Sequence, residues 1–231
     1  MESFACKIEH KLEEIPENII LEAGGMHAGL FPEIPETAYY KTLERLSRQG
    51  DLVHLAKGIY YRPLKTRFGI IPISENEILR HYIADGKGIV VGYKLFNRER
   101  ITAQVGKRAE VLSNALSEDK KTVGNVLVLS CDLDLNEHTI PVIETLEILQ
   151  NYSKIEDADG AALAAFMKKI VGIYSDNAAV YVLKNRKYKK STIAFFKSFL
   201  DYFNIENSLG SFLSNLSTYA IPEARQFYES A

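Results

Sequence analysis

The stretch that most limits what this chain can fold into spans residues 36–63, ETAYYKTLERLSRQGDLVHLAKGIYYRP. Tyr39, Leu43 and Leu46 recur at spacings of four and three, which places them on one face of a helix. Thr37, Lys41, Arg45 and Arg48 fall on roughly the opposite face, with Tyr40 at its flank. Thr37 is positioned to cap the helix through its hydroxyl, and Gly50 suits the left-handed residue that ends one. After Asp51 the pattern changes to two short β-rich runs, residues 52–55 and 59–62, around the turn Ala56-Lys57-Gly58. A basic-faced helix followed by a hairpin with lysine at its tip is how a winged helix-turn-helix meets DNA. The helix enters the major groove and the hairpin lies along the backbone. Thr37, Tyr40, Lys41, Arg45 and Arg48 would then read the groove, while Lys57 and Arg62 would touch phosphates.

Charge supports this locally. Residues 38–68 hold seven basic side chains against two acidic ones, a surplus of +5 in a chain whose formal net charge is −2. The opposing interpretation is a solvated helix and hairpin, since Arg45 and Arg48 near a helix C-terminus also complement its dipole. With 46% hydrophobic and 25% charged residues, 231 residues can bury one large core or two small ones. Cys6 and Cys131 have no metal or redox spacing, which fits a reducing compartment. The N-terminal MESFACKIEHKLEE is too charged for a secretory signal, and no apolar run reaches membrane-spanning length. Cytoplasmic location, with no membrane partner, is the expectation.

Upstream of the basic helix, residues 4–12 read as a first helix ended by Ile15-Pro16. Residues 18–21 read as a small strand, and residues 26–30 as a weak helix crowded by glycine and proline. Helix, strand, helix, helix, hairpin is the winged-helix order, and residues 1–68 would form that DNA-binding domain. Residues 69–73 read as a connector. Ser74 and Glu77 make a capping-box pattern that opens a helix through residue 82. Residues 88–91 and 126–131 read as strands, with residues 110–112 pairing between them. Thr139 and Pro141 start a helix carrying Val142, Leu146 and Leu149 on one face. A polar loop at residues 156–160 precedes two further stripes, Leu163/Met167/Ile170/Tyr174 and Ile193/Phe196/Leu200/Phe203. The fold class is therefore α+β: a winged helix-turn-helix, then a larger domain over residues 69–231, mixed α/β to about residue 155 and helical beyond.

Two blocks resemble a known family. The stretch LERLSRQGDLVHLAKGIYYRP, closing on Gly58-Ile59-Tyr60, is similar to the winged-helix heading of AbiEi-type antitoxins of type IV toxin–antitoxin, or abortive-infection, systems. GYKLFNRERITAQVGKRAEVLSN resembles the family's second block through Asn97, Thr102, Gln104, Val105 and Val111. The likeness covers roughly residues 1–150. The chain departs from the pattern in a longer, proline-rich turn before the basic helix, and in Gly106 where proline often follows Gln-Val. The resemblance implies a bifunctional regulator, not an enzyme and with no cofactor. It would repress its own operon through duplex DNA and oppose a nucleotidyltransferase-like toxin without forming a tight complex. A winged-helix scaffold for protein or RNA is the alternative.

Other chemistry is thin. The five histidines are scattered singly, and no phosphate-binding glycine loop occurs. Asp132 and Asp134 follow a strand, where a metal-binding carboxylate pair could sit, which would suit a hydrolase or transferase. Ser113 and Cys131 have no base in a recognisable motif. A second basic surface is offered by Lys184, Arg186, Lys187, Lys189 and Lys190, interleaved with Tyr188. The plain reading of that run is an exposed loop between helices. The aromatics at 195, 196, 199, 202 and 203 follow at helical spacing and read as core.

Overall fold

The computed structural model describes residues 3–214 and 217–229. Helix α1 (Phe4–Glu13) starts where Ser3 Oγ accepts from the Cys6 amide, and it buries Ile8 and Leu12. Strand β1 (Ile20–Glu22), helix α2 (Ala23–Leu30) and helix α3 (Glu36–Gln49) follow, then strands β2 (Val53–Ala56) and β3 (Ile59–Tyr61). The three strands form an antiparallel sheet in the order β1-β3-β2, with Tyr61 opposite both Ile20 and Val53. This is the winged-helix order.

Tyr39 is the pin of this unit. It is fully buried, and its hydroxyl donates to the Ala23 carbonyl at 3.0 Å, which fixes α3 against the start of α2. Phe31 and Ile34 bury themselves in the connecting turn, and His27 Nε2 lies 2.8 Å from the Ile34 carbonyl. The proline-rich turn is therefore packed rather than loose. Gly50 ends α3 at φ 77°, with its amide on the Leu46 and Ser47 carbonyls. Only glycine adopts that conformation freely.

Thr37 does not cap α3. The helix begins at Glu36, and the Pro35 carbonyl receives the Ala38 and Tyr39 amides at 2.9 and 3.0 Å. Proline presets the backbone just before the first turn, so the Thr37 hydroxyl, at the second helical position, is left without a capping role. Residues 69–73 are not a connector either. Strands β4 (Leu64–Thr66) and β5 (Gly69–Ile71) pair antiparallel as a separate two-stranded hairpin.

Helix α4 (Glu75–Ile83) carries the expected capping box. Ser74 Oγ accepts from the Glu77 amide at 3.2 Å, and Glu77 Oε2 accepts from the Ser74 amide at 2.6 Å. A second sheet contains β6 (Gly88–Val91), β7 (Ala109–Ser113), β8 (Lys120–Val123) and β9 (Val126–Ser130), in the order β6-β7-β9-β8. As expected, β7 lies between β6 and β9, antiparallel to the first and parallel to the second. Helix α5 (Gly92–Arg98) leaves β6 directly. Helices α6 (Thr139–Asn151), α7 (Gly160–Ile173), α8 (Asp176–Asn185) and α9 (Lys190–Tyr202) then build the helical part, and a short α10 (Gln226–Glu229) follows. Asp159 opens α7 by accepting from the Ala161 and Ala162 amides.

Successive side chains of a strand point to opposite faces, and both faces of the second sheet are covered. Val111, Val126 and Val128 meet Ile78, Leu79 and Tyr82 of α4 together with Ile20, Ile59 and Tyr61 of the winged helix. Leu112 and Ile89 face the other way, into the core built from α5 to α9. The class is α+β. The apolar interior does not stop at residue 68, because the sheet of the winged helix uses its second face to cover β7 and β9.

Candidate nucleic-acid interface

The outer face of α3 is built by its inner one. Burial of Tyr39, Leu43 and Leu46 turns Thr37, Lys41, Arg45 and Arg48 into solvent, while Tyr40 is half-buried with its ring edge-on to Tyr39 at 5.3 Å. Two of the cations are engaged at home. Arg45 Nη2 pairs with Glu9 Oε1 of α1, and Arg48 Nη2 lies 2.5 Å from Glu44 Oε1 one turn back. Lys41 forms no ion pair among the described residues. Folding also brings α1, in which Lys7 and Lys11 balance Glu9 and Glu13, beside the basic stretch. Residues 1–68 hold nine basic side chains against ten acidic, so the +5 of residues 38–68 becomes −1 over the whole unit.

The wing is short. Lys57 is exposed at its turn, as expected, but the hairpin does not stand free. The Gly58 carbonyl accepts from the Ala23 amide at 2.8 Å, and Leu55 and Ala56 pack on the cluster shared with the second sheet. Burial raises the Tyr60 hydroxyl's pKa, with Tyr40 and Glu44 adding to the effect.

Arg62, which the sequence suggested as a phosphate contact, is turned partly inward. It is half-buried, and its Nη1 donates to the Glu13 carbonyl at 3.0 Å and to the Ile15 carbonyl. Those carbonyls lie at the end of α1, where helical partners run out. The guanidinium completes them and ties α1 to β3.

The β4–β5 hairpin is the feature that the sequence reading missed. Lys65 Nζ reaches Asp51 Oδ1 at 2.7 Å, anchoring the base of the hairpin beside the end of α3. At the tip, the Arg67 guanidinium lies 4.6 Å above the Phe68 ring, and Phe68 is 86% exposed. Ile70 and Ile71 are exposed as well. The usable signal was Lys65-Thr66-Arg67-Phe68-Gly69, a β-rich run closing on a turn glycine, which sits at φ 119°.

The second basic run divides into two sets. Lys184 at the end of α8, Lys187 and Lys189 in the loop and Lys190 at the start of α9 are exposed, whereas Arg186 and Tyr188 turn inward, so the loop between the helices is exposed only at its lysines. Tyr188 Oη donates to Glu147 Oε1 at 3.0 Å, and Arg186 Nη2 lies 3.4 Å from the same oxygen. Glu147 projects from the otherwise apolar side of α6, and a buried carboxylate needs such partners. Burial pushes the Tyr188 hydroxyl's pKa up, and the Glu147 charge pushes it further.

The second motif block proves to be a loop fastener. Asn97 Nδ2 donates to the Thr102 and Gln104 carbonyls at 2.6 and 2.9 Å, and the Gln104 amide donates to Thr102 Oγ1. Val111 is buried in β7, and Val105 is 90% exposed at the loop apex. Asp134 accepts from Asn136 Nδ2, and among the described residues no group of three His, Cys, Asp or Glu side chains could hold a metal. A groove of about 800 Å³ runs between β1 and α4, crossed by the 3.0 Å contact of His81 with Glu22. That hydrogen bond holds the Glu22 carboxyl below its usual pKa.

An α+β chain with a winged helix-turn-helix order is thus what the fold defines. No family model matches it, and no curated protein does. Among solved structures it is similar to the crystal structure of RV2827C protein from Mycobacterium tuberculosis, with 13% sequence identity and a TM-score of 0.46. The alignment covers 96% of this chain and 84% of that one. Likeness of that degree carries no functional argument. No helix among the described residues is long and apolar enough to cross a membrane.

Proposed function

We propose that this chain is a cytoplasmic DNA-binding repressor that also serves as the antitoxin of an AbiEi-type system. The observation that supports it best is the disposition of α3. It is the second helix of a helix-turn-helix pair, its inner face is locked by Tyr39, and Thr37, Tyr40, Lys41, Arg45 and Arg48 line its outer side. In this reading α3 enters the major groove of the operator, and Lys57 contacts the backbone. Arg45 exchanges Glu9 for a phosphate or base edge on binding. The remainder, residues 69–231, opposes a nucleotidyltransferase-like toxin without a tight complex and without catalysis of its own. The exposed lysines at 184, 187, 189 and 190 are its most basic surface.

The test is a mobility shift with duplex from upstream of the chain's own gene, beside a scrambled duplex, together with co-expression of the neighbouring toxin gene. A selective, salt-sensitive shift and survival of the cells are expected. A second reading rests on the −1 balance of residues 1–68, which suits a scaffold binding protein or RNA. Equal affinity for both duplexes, or none, would favour it.

A further inference from the structure

We infer that the projecting β4–β5 hairpin is a second nucleic-acid contact, with Arg67 and Phe68 entering a groove of the duplex beside the site occupied by α3. The inference rests on the DNA-binding reading above and extends it to an element not counted there. Three observations carry it.

Charge comes first. From residue 52 to residue 74 the chain has no aspartate or glutamate; Lys57 and Arg67 are its exposed cations at the two turns, while Arg62 is engaged by the Glu13 and Ile15 carbonyls and Lys65 by Asp51. Acid-free basic surface of this length fits a polyanion. Elsewhere in residues 1–68 acids outnumber bases, so the hairpins are the part of the unit where the field favours phosphate.

Exposure comes second. A two-stranded hairpin is marginal by itself in water, and among the described residues β4 and β5 pair with each other alone. It nevertheless presents Phe68, Ile70 and Ile71 to solvent. Apolar side chains at the tip of a basic hairpin are of the kind that wedge against base steps in a groove.

Geometry comes third. Lys65 is bonded to Asp51, immediately after the Gly50 cap, so the hairpin leaves the protein at the C-terminal end of α3. The β2–β3 turn is held by Ala23 and the second sheet, whereas this hairpin is free to follow a backbone that α3 has already engaged. Arg67 over Phe68 offers a cation and an aromatic plate as one unit.

The chain contains no tryptophan, so Phe68→Trp places a single tryptophan at the tip, read apart from the 13 tyrosines by excitation at long wavelength. That variant would be titrated with a short random-sequence duplex at low and at physiological salt, next to wild type and the Arg67→Ala/Phe68→Ala double variant. Expected are a change in tryptophan emission on binding and affinity weaker by roughly tenfold in the double variant. If wild type binds duplex while the emission and the double variant's affinity stay unchanged, the hairpin assignment fails and the α3 reading stands. If wild type binds no duplex at low salt, both fail. Emission that shifts with protein concentration alone, together with dimer in sedimentation, would assign the surface to a second copy and overturn the proposal.

Discussion

Replacing Arg62 with alanine separates a scaffold role from a phosphate contact. The guanidinium donates to the Glu13 and Ile15 carbonyls, across 49 and 47 residues of sequence. A hydrogen bond to a charged group contributes about 1.5–3 kcal/mol when sheltered, and one of these acceptors is exposed and the other half-buried, so about 2 kcal/mol in total is expected. The favourable position of a cation at the end of α1 is included in that figure. Arg62→Lys keeps the charge but not the fork that reaches two carbonyls, and should lose an intermediate amount. Urea unfolding followed by circular dichroism would read the loss as a lower midpoint at unchanged slope. The salt dependence of duplex binding should stay that of wild type. An unchanged midpoint, with a salt slope reduced by about 0.9, would mean that Arg62 holds a phosphate and that its carbonyl bonds contribute nothing.

Ser74→Ala should cost about 1 kcal/mol by removing one half of the capping box, measured as a lower melting temperature. Glu77 is held below its usual pKa, first by the Ser74 backbone amide and then by the Ser74 side chain. A lowered pKa means stability that is present above the ordinary carboxylate range and lost as pH falls through the lowered value. The gap between wild type and Glu77→Gln should therefore close in acid, and a gap that widens there would refute the assignment. Gly88→Ala should cost about 3 kcal/mol or more, because a Cβ there would lie 2.4 Å from the Tyr82 carbonyl oxygen and 2.6 Å from that of Leu112. A wild-type melting temperature would show that the β6–β7 edge yields more easily than its packing implies.

Much of this architecture was legible because its signals are local. The Tyr39/Leu43/Leu46 stripe, the Gly50 stop and the Ser74–Glu77 box all follow from spacing within a few residues. The β4–β5 hairpin was hidden because it buries almost nothing. Without a burial alternation, and bracketed by Pro63 and Pro72, it resembles a linker. Strand β8 escaped for a related reason, since its Lys120-Lys121 start is the polar edge of a sheet. Helix α5 was missed because it follows β6 through Gly92, at φ 63°, with no intervening loop. At the candidate interface the outward face of α3 was readable, but its neighbours were not. Arg45 meets Glu9, and Arg62 meets Ile15, across distances in sequence that no helical or strand period reports. The same holds for Glu147 with Arg186 and Tyr188.

In the proposed function the outer face of α3 reads duplex DNA. The most direct measurement is fluorescence anisotropy of the full chain on duplex from upstream of its gene and on a scrambled duplex, for wild type and for Lys41→Ala combined with Arg45→Ala. Both side chains are exposed, so folding should survive the change. Wild type should prefer the upstream duplex, and the double variant should lose about 1–3 kcal/mol of that preference for each base contact removed. Identical binding of both duplexes by both proteins would contradict it.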